Sequence, residues 1–245
     1  MIDLDSFYTH TIYDNKKIWL TKKDIRAQWI YSQNGTQKEK VSLLKELCLK
    51  EEINCLFDIG ANYGEFSVGL SDVVAEIYAY EPNIYVYQCL EKTSTIYNNL
   101  HTYNIAVDIK ESLKDFYIHK LYSGGGRLEQ KWIWKDSRYA EQSRDTAMYE
   151  KYSIYCADIL QTLHQKQLQG NILIKIDIEG KELELVDRMS EFLKNYQYNW
   201  FVFFEIPHDQ NKVSDLSLNT KLNALEAQIL GRYSSDILIG RKAPK

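Results

Sequence analysis

Four acidic residues, Asp58, Glu81, Asp177 and Glu205, each close an apolar, strand-like run of the chain. Ligands of open α/β sheets bind beyond the carboxyl ends of the strands, so four carboxylates in such places converge on one site. Packing alone accounts poorly for four of them, because a carboxylate at a buried edge is costly to desolvate. Such groups accept hydrogen bonds from hydroxyls, pair with a cation, take up a proton or hold a hard divalent ion. His208 follows Glu205 across Pro207, and an ordinary imidazole pKa of about 6.5 suits a general base near neutrality.

The run Leu56-Phe57-Asp58-Ile59-Gly60-Ala61-Asn62-Tyr63-Gly64 reads as a strand, a glycine turn and the start of a helix. That geometry presents backbone N–H groups and a helix N-terminus to a ligand. Gly60 and Gly64 permit close backbone approach and dihedrals closed to other residues. Glu81 lies 21 positions beyond Gly60, where an acidic residue accepts hydrogen bonds from ribose hydroxyls. Together they point to an adenosine-containing cofactor. A nicotinamide dinucleotide calls for G-x-G-x-x-G, but Asn62 and Glu65 occupy the second and third glycine positions. Asp58 is badly placed to face a diphosphate and well placed to face a cation, which favours S-adenosylmethionine with its sulfonium and ammonium. Asn62 suits the turn because Asn enters the left-handed region more readily than most residues.

Asp58-Ile-Gly-Ala-Asn-Tyr-Gly, Tyr80-Glu81-Pro82-Asn83 and Ile174-Lys175-Ile176-Asp177-Ile178-Glu179-Gly180-Lys181-Glu182 resemble the motifs of FkbM-type S-adenosylmethionine-dependent methyltransferases, over residues 53–206. The third motif is the most specific of them. The resemblance implies an α/β, Rossmann-like class I methyltransferase fold: a largely parallel central sheet with flanking helices and an insert after the third strand. A complete sheet of this kind has seven strands ending in an antiparallel pair; the sequence after the last helix shows fewer, so a shortened closing hairpin is expected. The implied reaction is O-methylation of a sugar hydroxyl, on a nucleotide-activated acceptor or one otherwise used in surface-polysaccharide or glycoconjugate biosynthesis. The cofactor-binding residues would be Asp58, Gly60, Ala61, Asn62, Gly64, Phe66, Glu81 and Pro82, with Asn104 and Ala106 near the adenine. Two alternatives stay open: a nicotinamide-dependent sugar-nucleotide enzyme, and a non-catalytic Rossmann-like binding protein.

An alcohol acceptor must lose a proton, through a general base or a metal. His208 could be that base with Asp177 orienting the acceptor, or Asp177, Glu205 and His208 could hold a divalent ion that lowers the hydroxyl pKa. The metal-free version is preferred, because no second histidine lies nearby and hard-metal sites gather more carboxylates. Glu182 fits better as a cap at its helix N-terminus, where negative charge is favourable, while Glu179 is counted with the acceptor site.

These residues need a scaffold, and alternating strands and helices supply an α/β one. Residues 1–52 form a helical or irregular extension, with a short helix near 22–31 and a second opened by a capping box at Thr36 and Glu39. Residues 53–245 form the methyltransferase domain. Strands are expected at 54–58, 76–80, 102–107, 171–177, 200–206 and 236–240, with helices at 65–73, 83–97, 181–194 and 218–230. Between 109 and 157 the alternation breaks. Strands at 115–121 and 152–156 flank a long irregular segment that opens with Ser123-Gly124-Gly125-Gly126 and carries Arg127, Trp132 and Trp134. Loops of that length in compact domains are usually functional; aromatic faces beside guanidinium groups suit sugar rings and phosphates. The insert is therefore assigned to the acceptor, not the cofactor.

A formal net charge of −4 over 245 residues argues against a nucleic-acid partner, which favours a basic face. The four cysteines show no metal-ligand spacing and read as buried free thiols. No signal peptide and no run of membrane-spanning length is apparent, so a cytoplasmic protein is expected; a homo-oligomer stays open.

Overall fold

The computed structural model describes residues 7–128, 149–166, 168–178, 180–205, 222–223 and 225–242. The extension is more ordered than its sequence pattern implies. Strands β1 (Phe7–Ile12) and β2 (Lys16–Thr21) pair as an antiparallel hairpin. Its turn is closed by Asp14 and Asn15 at φ of 51° and 64°, the left-handed region that Asp and Asn tolerate. Helices α1 (Ile25–Gln33) and α2 (Lys38–Lys50) follow. Val41, Leu44 and Cys48 form the buried face of α2, as their helical spacing predicts. The capping box is not made. Gln37 occupies the N-cap without a side-chain bond, while Thr36 donates its N–H and its hydroxyl to Glu65, at 2.6 and 2.8 Å.

Next come β3 (Ile53–Ile59), α3 (Glu65–Gly69), β4 (Glu76–Tyr80), α4 (Ile84–Ser94) and β5 (Leu100–Tyr103). The single strand expected at 102–107 divides, because β6 (Ala106–Asp108) joins a different sheet. At the break, the Asn104 amide donates to the carbonyls of Glu81 and Pro82, which turns the chain out of the main sheet. The described parts of the insert form a small sheet, and residues 129–148 of the segment expected to be irregular lie outside the described residues. In the sheet β7 (Ser112–His119), β8 (Tyr122–Arg127) and β9 (Tyr149–Asp158) combine with β6 in the order β6-β9-β7-β8. The triple glycine, expected in an irregular segment, lies inside β8. Trp132 and Trp134 lie outside the described residues.

After α5 (Ile159–His164), the alternation resumes with β10 (Asn171–Ile176), α6 (Glu182–Asn195) and β11 (Trp200–Glu205). The chain closes with β12 (Gln228–Tyr233) and β13 (Asp236–Arg241). The main sheet runs β12-β13-β11-β10-β3-β4-β5, with β13 antiparallel to both of its neighbours. The closing hairpin is therefore full, not shortened, and residues 228–230, expected to end a helix, are strand. β12 is an edge strand whose alternate residues are exposed, so the leucine and isoleucine spacing there serves one face of a sheet instead of a helix stripe. Two apolar cores flank the sheet, one under the extension with α2, α3 and α4, the other under α5 and α6.

One carboxylate ties the extension to the domain. Glu65, 4% exposed, accepts from the Tyr13 hydroxyl at 2.5 Å, from Arg26 at 3.2 Å and from Thr36. Hairpin, first helix and interhelical turn are thus gathered on the first residue of α3. Removing one partner from a buried charged network costs about 3–5 kcal/mol, whereas exposed ion pairs contribute about 1 kcal/mol or less. Glu65→Ala is expected to lose the larger amount in urea unfolding. Asp14→Ala, which breaks the exposed pair with Lys45, is expected to change stability little.

Candidate functional site

The glycine loop after β3 is built on a buried ion pair. Lys175 of β10 stands opposite Asp58 in the parallel register, and its ammonium lies 3.0 Å from the Asp58 carboxylate. The same ammonium donates to the Gly60 carbonyl at 2.7 Å and sits over the Phe66 ring. Burial alone would lower the Lys175 pKa, but Asp58 and then Asp177 more than offset it, and the group is held above its ordinary value. Asp58 also accepts from the Ser67 N–H and hydroxyl, at 3.2 and 2.6 Å. Fully buried, it pairs with a cation of the protein itself, which the motif spacing did not reveal.

Gly60 is required for a reason that motif spacing does not reveal. At φ +73°, a Cβ there would lie 1.9 Å from the carbonyl oxygen of Asp177, so the backbone just after β10 excludes every side chain at this position. The N–H groups of Gly60 and Ala61 both donate to the Tyr80 carbonyl, which stitches the loop to β4. Asn62 adopts φ 51°, the left-handed conformation expected of it. Its N–H donates to one oxygen of Glu81 at 2.7 Å, and the Asn83 N–H donates to the other at 2.7 Å. Burial pushes the Glu81 pKa up to about 7, against those two N–H groups and Lys175.

Glu81 faces a cavity of about 310 Å³, within the range of small-molecule sites. Gly60, Asn62 and Pro82 line the cavity beside it, with Ile105, Ala106 and Val107 at one end. Along one wall runs β8, contributing Ser123, Gly124, Gly126 and Arg127. The remaining wall carries Asp177, Glu205 and Asp236 with Arg26 and Lys40. Of the expected site residues, Ala61, Gly64 and Phe66 are buried behind the lining, and the Asn104 amide is spent on the carbonyls of residues 81 and 82. Glu179 and His208 lie outside the described residues. Glu182, expected to cap its helix N-terminus, instead ties down the loop before α6, accepting from the Ile178 and Gly180 N–H groups; burial raises its pKa to about 7.

Asp236 and Lys40 were not legible as site residues. β13 is antiparallel, so its first residue, not its last, reaches the ligand face, directly opposite Glu205. Lys40 of α2 meets Asp236 at 2.5 Å. Burial raises the Asp236 pKa while Lys40 opposes the shift. Glu205 accepts from the Ser235 hydroxyl at 2.9 Å. Among the described residues, no three His, Cys, Asp or Glu side chains gather closely enough to hold a metal ion. All four cysteines are buried and free. No described helix is long and apolar enough to cross a membrane.

A parallel sheet closed by an antiparallel pair, a glycine loop after β3 and an acid closing β4 define the class I methyltransferase fold. The chain belongs to the FkbM methyltransferase domain family, whose model matches residues 58–227. Among solved structures it is similar to the methyltransferase FkbM of Methylobacillus flagellatus KT, at 13% identity and a TM-score of 0.48, over 78% of this chain and 44% of that one. The chain thus spans less than half the length of that protein. A methyltransferase of Agrobacterium tumefaciens matches at 9% identity and a TM-score of 0.49, over 99% and 72% of the two chains. Magnesium protoporphyrin IX methyltransferase of Synechocystis PCC 6803, solved with bound S-adenosylmethionine, matches at 9% identity and a TM-score of 0.45, over 85% and 80%. No curated protein sequence matches the chain.

The buried pair under the loop makes a stability prediction. Lys175→Met strands the Asp58 carboxylate without its cation, and the expected loss in denaturant unfolding is about 3–5 kcal/mol. Adding Asp58→Leu is expected to recover a substantial part, since an apolar pair of similar volume often replaces a buried ion pair without loss.

Proposed function

We propose that the chain is an S-adenosylmethionine-dependent O-methyltransferase acting on a sugar hydroxyl, in a nucleotide-activated or other intermediate of surface-polysaccharide or glycoconjugate assembly. The observation that carries the cofactor reading is Glu81: a carboxylate 5% exposed, fixed by two backbone N–H groups and lining the cavity beside a glycine loop. Each of its oxygens keeps acceptor capacity for a ribose hydroxyl. Family membership supports methyl transfer. The sugar and the oxygen acceptor rest on the resemblance set out from the sequence and on the polar, mixed-charge wall formed by Lys40, Asp177, Glu205 and Asp236.

When bound, the cofactor supplies a methyl group on a sulfonium, already a good leaving group. The chain's task is to hold the acceptor oxygen in line and exclude water, which can supply about 7–11 kcal/mol of barrier reduction at best. Asp177 follows β10, with its side chain 42% exposed toward the cavity side, and is the carboxylate best placed to orient or deprotonate a hydroxyl. His208 is the second candidate base. A divalent ion held by Asp177, Glu205 and His208 is the competing route, and chelation separates the two.

Glu81→Ala is expected to weaken S-adenosylhomocysteine binding by about 1.5–3 kcal/mol in calorimetry, the contribution of hydrogen bonds to a charged group, while NAD gives no binding to either protein. Ribose hydroxyls donate to the ionised carboxylate, so binding favours loss of the Glu81 proton. Parent affinity is accordingly expected to fall as pH drops through about 7, and Glu81→Gln to flatten that dependence. Unchanged affinity in Glu81→Ala would remove the cofactor assignment. For the chemistry, methyl transfer to nucleotide-linked and phosphorylated sugars is expected to survive EDTA and to fall by about 100-fold or more in Asp177→Asn. Loss with EDTA and rescue by Mg2+ would instead favour the metal.

A further inference from the structure

We propose that strand β8 is the purine-side wall of the cofactor pocket, so that the triple-glycine segment serves the cofactor rather than the acceptor. The inference rests on the S-adenosylmethionine reading above. Tyr122, Ser123, Gly124, Gly126 and Arg127 of β8, and Leu128 just after it, line the cavity. At Gly124 and Gly126 that lining is bare backbone. A Cβ at Gly124 would come within 2.6 Å of the Tyr122 hydroxyl, and one at Gly126 within 2.7 Å of the Phe116 ring. The glycines let these two rings lie close along the strand, and Phe116 itself lines the cavity. Pro82 and the residues Ile105, Ala106 and Val107 line the same cavity, giving it an apolar end next to Glu81. Flat aromatic ligands gain most between such surfaces.

The small sheet is tied directly to the residues that hold the ribose-binding acid. Tyr152 of β9 donates its hydroxyl to the Pro82 carbonyl and accepts from the Ile84 N–H at 3.1 Å. The Asn62 amide reaches the Ser123 hydroxyl at 3.4 Å, and Asp24 accepts from the Ser123 N–H at 3.0 Å. Strand β8 is thus fixed relative to both the glycine loop and the turn after β4. The Asn104 amide N–H2 is committed to the carbonyls of that turn.

The test is calorimetry with two probes, S-adenosylhomocysteine and adenosine, on folded protein checked by thermal unfolding. Gly124→Ala sets a Cβ against the Tyr122 ring in the lining, and Leu128→Ala trims the lining without adding an atom. Each is expected to weaken both probes by about tenfold, in the same ratio, the magnitude of one aromatic or apolar contact to a ring. Leu113→Ala, at an exposed position of β7, is expected to leave both affinities at the parent value. If Gly124→Ala fails to fold, Leu128→Ala decides alone. Parent-like binding in the folded variants, with affinity still lost in Glu81→Ala, overturns the proposal and leaves the cofactor reading standing. Weakened S-adenosylhomocysteine with unchanged adenosine also overturns it, since β8 would then touch the other end of the cofactor. A parent protein that binds neither probe removes the cofactor reading and this inference with it.

Discussion

A lysine ammonium buried beneath the glycine loop sets the shape of the site. Lys175 and Asp58 face each other across two adjacent parallel strands, 3.0 Å apart and almost wholly shielded from water. Such a pair adds little net stability, because desolvating both charges offsets most of their attraction, yet breaking it is expensive. What it secures is position. With its charge matched by Asp58, the ammonium also binds the Gly60 carbonyl and leaves Asp177 at 3.9 Å. The ends of β3 and β10 are thereby fixed relative to each other, and the loop between them has one conformation to adopt.

From that anchor the rest of the cavity follows as a set of hydrogen-bonded contacts between elements distant in sequence. Backbone N–H groups of the loop donate to the Tyr80 carbonyl, and Glu81 returns the link by accepting from Asn62. The extension then closes one side. Glu65 collects the hairpin, α1 and the turn before α2, and α2 delivers Lys40 to Asp236 on the last strand. First and last segments of the described chain thus meet at the wall that carries Asp177 and Glu205.

The small sheet supplies further lining of the cavity. Its strands β7 and β9 pair over eight residues, enough to make a stiff platform for the short β8, and Tyr152 fastens that platform to the turn after β4. A wall of this kind can be narrow only where its strand has no side chains, and β8 meets that requirement with glycine.

The sequence by itself determined the parallel strands of the main sheet and the glycine loop with the acid that follows β4. Largely apolar runs such as 53–59 and 171–176 read as central parallel strands, and the interval from Gly60 to Glu81 is set by one βαβ step. Asn62 was readable in its left-handed turn for the same local reason. Only the tertiary structure decided what Asp58 binds, because a carboxylate before a glycine loop looks alike whether its cation belongs to a ligand or to Lys175, 117 positions away. It alone placed Asp236, since a residue that begins an antiparallel strand reaches the ligand face without any local signal. It alone turned the glycine segment into strand: glycine marks a loop by propensity, and pairing with β7 overrides that preference once Phe116 and Tyr122 need the space that a Cβ would fill.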